Sequence, residues 1–239
     1  MGKHFFRKGY ETGIILIIIT LVVLLIPPSP SVMNVNGVWP SPGILYKGDT
    51  GVSLTFNVEL GNESIVWLVK DLEEKGIKKA TFFLDPAWVD RQKEVVKEIQ
   101  LAGFDIGIYD LHPSRYESLE EKEIAKHLED LRALFKEHNL DPAYYRTKDE
   151  LLPPSVVKVM AKYDFIVVSH QLEEKDLVSS KRIPLQGAVV ELNADNKLED
   201  MEKNWTKSYE ALQSHGNDVP FVSLLELLAS SDSKIKLLD

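Results

Sequence analysis

The 239-residue chain has no cysteine, which excludes both a disulfide framework and a thiolate metal site. That absence fits either side of a membrane. An excess of positive charge is also lacking: 28 Lys and Arg stand against 37 Asp and Glu, a net charge of −9. A nucleic-acid binder would carry a basic footprint, so that class is excluded. Neither an internal repeat nor a low-complexity tract is present. Long apolar sequence occurs in one place only, Gly13 to Ile26, interrupted by Thr20.

Fourteen residues fall short of the roughly 20 that a membrane-spanning helix needs. Gly9, Tyr10 and Thr12 extend the run, with Tyr10 placed for the interface. It is apolar all round, unlike an outer helix of a small domain. Pro27-Pro28-Ser29-Pro30 after it makes a poor cleavage site. The expectation is an uncleaved signal-anchor, with a cleaved signal as the alternative. Lys3, Arg7 and Lys8 then keep the N-terminus in the cytoplasm and put the rest outside the cell membrane. Pro27, Pro28, Pro30, Pro40 and Pro42 make residues 27–44 a semi-extended linker. Three regions follow: an anchor over 1–26, the linker over 27–44, and a folded domain over 45–239. Residues 1–40 carry +2, leaving −11 on the remainder, which suits a soluble domain.

What is present is ordinary globular material: 44% hydrophobic and 27% charged residues, enough to bury a core. Short apolar runs predict strands over 52–56, 80–84, 105–109, 143–145, 165–169, 188–192 and 221–224. Helical periodicity marks 64–75, 87–102, 119–139, 154–162, 197–215 and 225–230. Ser118 and Glu121 stand at capping-box spacing, Pro153-Pro154 opens the fourth helix, and Gly76 and Gly103 close the first two. This alternation means an α/β fold with a parallel sheet, open or closed into a barrel.

Such folds collect functional side chains at the C-terminal ends of their strands. Those ends carry Asn57 and Glu59, Asp85, Asp110 and His112, Arg146, His170, then Glu191 and Asn193. Two His with several carboxylates suit metal binding or acid–base work, and equally suit polar loops. His127 and His138 sit on a charged helix and are expected in solvent, His215 is expected at a helix end, and Trp67 in the core. Trp88, just past the second strand, is the candidate for stacking on a sugar.

Specific phrases narrow the reading. Leu54-Thr55-Phe56-Asn57-Val58 is similar to a Leu-Thr-Phe-Asp-Asp motif. Lys79-Ala80-Thr81-Phe82-Phe83-Leu84 looks like the strand that follows it. Gly103-Phe104-Asp105-Ile106-Gly107 with His112-Pro113 resembles a Gly-His-Glu-Ile-Gly approach closed by His-Pro. Gly187 to Asn193 sits where an apolar strand would end in Leu-His, and Pro220 to Leu228 resembles a last strand and helix. In this order the motifs resemble the polysaccharide deacetylases, the NodB-homology or family 4 carbohydrate esterases. The run Leu54 to Glu63 is similar to their membrane-anchored, sporulation-associated branch.

The resemblance implies a distorted (β/α) barrel that removes acetyl groups from N-acetylated glycans. It implies a Zn-type divalent metal on one Asp and two His, an Asp base oriented by an Arg, and a late His acid. Position by position, Asn57 replaces the base and Val58 the ligand Asp. Ile108 or Tyr109 replaces the first metal His. Asn193 replaces the acid. His112 and Arg146 remain. An amide does not accept a proton at neutral pH and an alkyl group does not ligate, so a catalytically degenerate, anchored envelope domain is expected, without a cofactor. Its partners would be an N-acetylated cell-wall polysaccharide or an envelope protein. The alternatives are an active hydrolase with a metal site relocated to Asp110, His112 and His170, aided by Glu59 and Glu191, and a protein-interaction module that no longer sees sugar.

Overall fold

A computed structural model describes residues 43–148, 152–179, 183–194, 196–216, 219–230 and 234–237. The expected anchor and most of the linker lie outside these residues. Among the described residues no helix is long and apolar enough to cross a membrane.

Strand β2 (Val52–Val58) is the centre of the sheet. Its seven residues are all buried, because both faces are covered. Val52, Leu54, Phe56 and Val58 belong to the core beneath the helices, where Phe56 meets Phe82 and Trp205. The alternation of a strand sends Ser53, Thr55 and Asn57 the other way, into the barrel. β2 is flanked in parallel by β3 (Thr81–Leu84) and β8 (Ala188–Asn193). From β3 the parallel order continues through β4 (Asp105–Asp110), β5 (Tyr144–Thr147) and β6 (Ile166–Val168) to β1 (Gly43–Lys47). β1 returns to β8 through one antiparallel pair, Lys47 with Ala188, and this closes a distorted seven-stranded barrel. Two short strands lie outside the ring: β7 (Leu172–Glu173) on β8, and β9 (Lys234–Leu237) on β1.

The closure depends on glycine. The Gly187 N–H donates to the Gly51 carbonyl and the Gly48 N–H to the Gly187 carbonyl. Gly187 has φ +75°, and a Cβ there would lie 2.0 Å from the Gly48 oxygen. Only glycine combines that dihedral with that approach.

The helices are α1 (Glu63–Glu74), α2 (Pro86–Arg91), α3 (Lys93–Leu101), α4 (Glu121–Glu137), α5 (Pro154–Lys162), α6 (Glu174–Leu177), α7 (Leu198–Gly216) and α8 (Leu224–Ala229), with a 3-10 turn over Pro113–Glu117. Gly76 and Gly103, at φ +70° and +79°, follow α1 and α3 as expected. Five expectations are corrected. The helix over 87–102 is two, because Gln92 leaves helical dihedrals (φ −119°, ψ 45°). The third helix is capped by Glu120 with Glu123 rather than by Ser118 with Glu121. The strand over 221–224 shrinks to one bridge, Phe221 with Val52, before α8 begins. The last stretch of the assumed linker already forms β1 at Gly43. His138 is not in solvent: its side chain is 7% exposed, with Nε2 3.8 Å from Asp90.

Candidate functional site

Parallel pairing brings the C-terminal ends of β2, β4, β5, β6 and β8 to one rim. Adjacent registers put Asn57 opposite Asn193 and Tyr109 opposite Arg146. Arg146 is the hub. It is 2% exposed. Its Nη1 donates to Thr55 Oγ1 (2.8 Å) and Asn57 Oδ1 (3.1 Å). Nε and Nη2 donate to the carbonyls of Val168 and Ser169, each at 3.4 Å. The guanidinium also stacks 4.1 Å from the centre of the Phe83 ring. Burial pulls its pKa down to about 10, against the pull of Glu191, so it stays charged at neutral pH.

Around it stand Glu191 and His170. Glu191 Oε2 lies 3.6 Å from Arg146 Nη1 and 2.9 Å from His170 Nδ1, and His170 Nε2 reaches Glu173 at 3.2 Å. The Glu191 hydrogen bond raises the half-buried His170 above its usual range. Burial pushes Glu191 upward, but the His170 hydrogen bond and the Arg146 charge outweigh it, and its carboxyl is held low. Asn57 Nδ2 donates to Asn193 Oδ1 at 3.2 Å. Both faces of the Asn57 amide are therefore spent on protein, and the residue is 2% exposed.

A second cluster faces the other way. Tyr109 and Asp110 alternate on β4, so Asp110 leaves the barrel interior for the layer beneath α4. Its carboxylate accepts from the His112 N–H (2.9 Å), Arg115 Nη2 (3.2 Å) and Tyr145 Oη (2.7 Å), and Tyr145 pairs with Tyr116 at 2.6 Å. His127 joins through Arg115 at 3.2 Å, so it is half-buried rather than solvated, and burial lowers its pKa. Glu59 is paired with Lys148 across the mouth at 2.6 Å. A cavity of about 190 Å³, bounded by Lys78, Ala80, Asp105 and Tyr144, lies at the opposite, N-terminal end of the strands. It is not part of this rim.

The polysaccharide deacetylase family model matches residues 46–168, just over half of the chain. This chain belongs to the polysaccharide deacetylase family. A family 4 carbohydrate esterase pseudoenzyme from Bacillus anthracis superposes with a TM-score of 0.65 at 20% identity, covering 82% of this chain and 72% of that one. A family 4 carbohydrate esterase from the same organism gives 0.64 at 19%, covering 80% and 89%. The chitin deacetylase of Colletotrichum lindemuthianum gives 0.65 at 12%, covering 84% and 98%. These likenesses bear on the fold. No curated protein matches the sequence.

The metal implied by the family finds no fitting donor set. Val58, at the carboxylate position, is a fully buried alkyl group. Ile108 and Tyr109, the two candidates for the first His position, are both buried, and Tyr109 is paired within the protein. His112, on the exposed start of the 3-10 turn, is left without those companions. The relocated trio is not assembled either. Asp110 is consumed by Arg115 and Tyr145 on the outer face, and both ring nitrogens of His170 point at carboxylates. Among the described residues no three His, Asp or Glu could hold a metal ion.

Other candidates are structural. Trp88 cannot stack on a sugar: it is 1% exposed, with its indole N–H on the Gly61 carbonyl at 2.8 Å. Asp85 caps α2 by accepting the Trp88 N–H at 2.8 Å. Trp67 packs against the core. His215, in the last turn of α7, reaches the Leu177 carbonyl at 3.1 Å. Residues that sequence reasoning missed are Thr55, Glu173, Arg115 and Tyr145. Thr55 was findable, two positions before Asn57 on the same face of β2. Glu173 was findable too, as it stands only three residues after His170.

Proposed function

We propose that this chain is a catalytically degenerate polysaccharide-deacetylase-family protein, tethered at the outer face of the cell membrane. It works by non-catalytic contact with N-acetylated envelope glycan. The observation that carries the reading is the state of Asn57. The residue at the base position is a neutral amide, bonded to Arg146 on one side and Asn193 on the other. It has neither the basicity to take a proton from water nor a free acceptor aimed at a substrate. The buried Val58 beside it removes the ligand that would polarise an acetyl carbonyl. The likeness to a structure named as a pseudoenzyme supports the same conclusion. The apolar N-terminal run and its basic flank support the tether.

The test uses the full-length chain with and without added zinc. Metal content is read by mass spectrometry, acetate release from peptidoglycan and N-acetylated chitin oligomers by an enzymatic assay, and glycan contact by co-sedimentation. Expected are substoichiometric metal, no acetate above background, and retention on the glycan. Metal-dependent acetate release would overturn the degenerate reading. Absence of retention would replace glycan contact with a protein-interaction role.

A further inference from the structure

Arg146 lies inside the barrel and keeps its charge at neutral pH. A buried cation is strongly unfavourable without a negative partner. Position 57 does not supply one, since Asn57 offers only an amide oxygen at 3.1 Å. Thr55, Val168 and Ser169 add neutral acceptors. Among the described residues, the carboxylate within reach is on the strand next to β2: Glu191 Oε2, 3.6 Å from Nη1. The β2–β8 register sets Thr55 opposite Glu191 and Asn57 opposite Asn193. Positions 57 and 191 therefore both face the guanidinium, one step apart across a strand pair.

We propose that Glu191, itself partly buried, is the counter-ion of the buried Arg146, occupying from β8 the role that a carboxylate at position 57 would fill from β2. The two positions are then alternative seats for one negative charge. With Glu191 in place, the guanidinium stays buried and neutralised although the base position is inert. A carboxylate at both positions crowds two anions around one cation, next to Glu173 on the far side of His170. Reversion at position 57 alone therefore does not rebuild a base. The functional meaning rests on the proposed degenerate reading, but the charge exchange itself does not.

A double-mutant cycle on the full-length chain at pH 7 tests this, read by thermal unfolding of the parent, Asn57→Asp, Glu191→Gln and the double variant. Gln keeps the size of the side chain and an acceptor oxygen for His170, so the change is the charge. Leaving the buried Arg146 without its counter-charge should lower the Tm of Glu191→Gln by roughly 10 °C. Asn57→Asp alone should also lose stability. The double variant should regain at least half of the Glu191→Gln loss. A smaller recovery, or a Glu191→Gln variant within about 2 °C of the parent, overturns the proposal. If Glu191→Gln does not fold, a folded double variant is the rescue and an unfolded one overturns it. Acetate release by the parent would defeat the degenerate reading without moving this cycle, so the two failures are distinguishable.

Discussion

Gly107→Ala tests how tightly the barrel interior holds the site. Gly107 lies on β4, facing the inside, at a dihedral where alanine is not strained. In an open strand the change would stabilise by about 0.5–1 kcal/mol, because glycine has more freedom to lose. Here the new methyl would lie 2.7 Å from two ring carbons of Phe83 and 3.2 Å from Tyr144 Cβ. Favourable carbon contacts begin near about 3.5 Å, so the ring must move by most of an ångström. Phe83 is fully buried and carries the stacked Arg146 guanidinium, so the shift propagates to the hub. Overpacking of this kind costs about 1–3 kcal/mol. The net loss should be about 1–2 kcal/mol, a Tm lower by roughly 3–6 °C for a domain this size. Calorimetry reads the loss, and NMR of the Arg146 Nε–H reads the displacement. A Tm equal to or above the parent's would refute the reasoning, because it would mean that the interior yields to an added methyl.

Stability should respond to pH through His170 and Glu191. His170 has its pKa raised in the fold, so its contribution is full below about 6.5 and fades as pH climbs through the folded value; Glu191, held low, loses its contribution only in acid. The Tm difference between parent and His170→Gln should therefore shrink from pH 6 to pH 8, whereas a constant difference would count against the pair; the comparison uses a variant because His127, lowered by burial, titrates with the opposite sign. Trp205→Phe should cost about 2–3 kcal/mol, since the indole N–H donates to the Asp71 carboxylate at 2.5 Å and bonds to charged groups are the stronger ones; urea unfolding measures it, and a loss below about 0.5 kcal/mol would show that bond to be idle. Trp88→Phe should lower stability while leaving glycan co-sedimentation unchanged; lost retention in a folded variant would return Trp88 to the binding surface.

Strand–helix alternation was enough for a parallel α/β sheet, because strands buried on both faces are short apolar runs and helices carry a stripe every 3.6 residues; that the sheet closes into a barrel was implied only by the family resemblance. It failed where tertiary pairing overrode local pattern. β1 hides behind proline and becomes a strand only by pairing with β6 and β9. The 221–224 run looks like a strand yet meets β2 at one bridge. Trp88 follows a strand end, which suggested the rim, but α2 turns it inward as soon as Asp85 caps that helix.

By itself the sequence determined the family and the residue types at the positions that the resemblance gives to the base, the metal ligands and the acid: Asn57, Val58, Ile108 or Tyr109, and Asn193. Those are facts of residue type, and an amide or an alkyl group keeps its chemistry wherever it is placed. Only the tertiary structure decided which polar residues serve one another. Asp110, a possible ligand from its spacing, faces outward to Arg115 and Tyr145, since alternate residues of a strand point to opposite faces. Glu191, one rim carboxylate among several in the sequence, is brought by the β2–β8 register to the buried charge of Arg146. Partnership across strands depends on register, and register is settled only when the barrel closes.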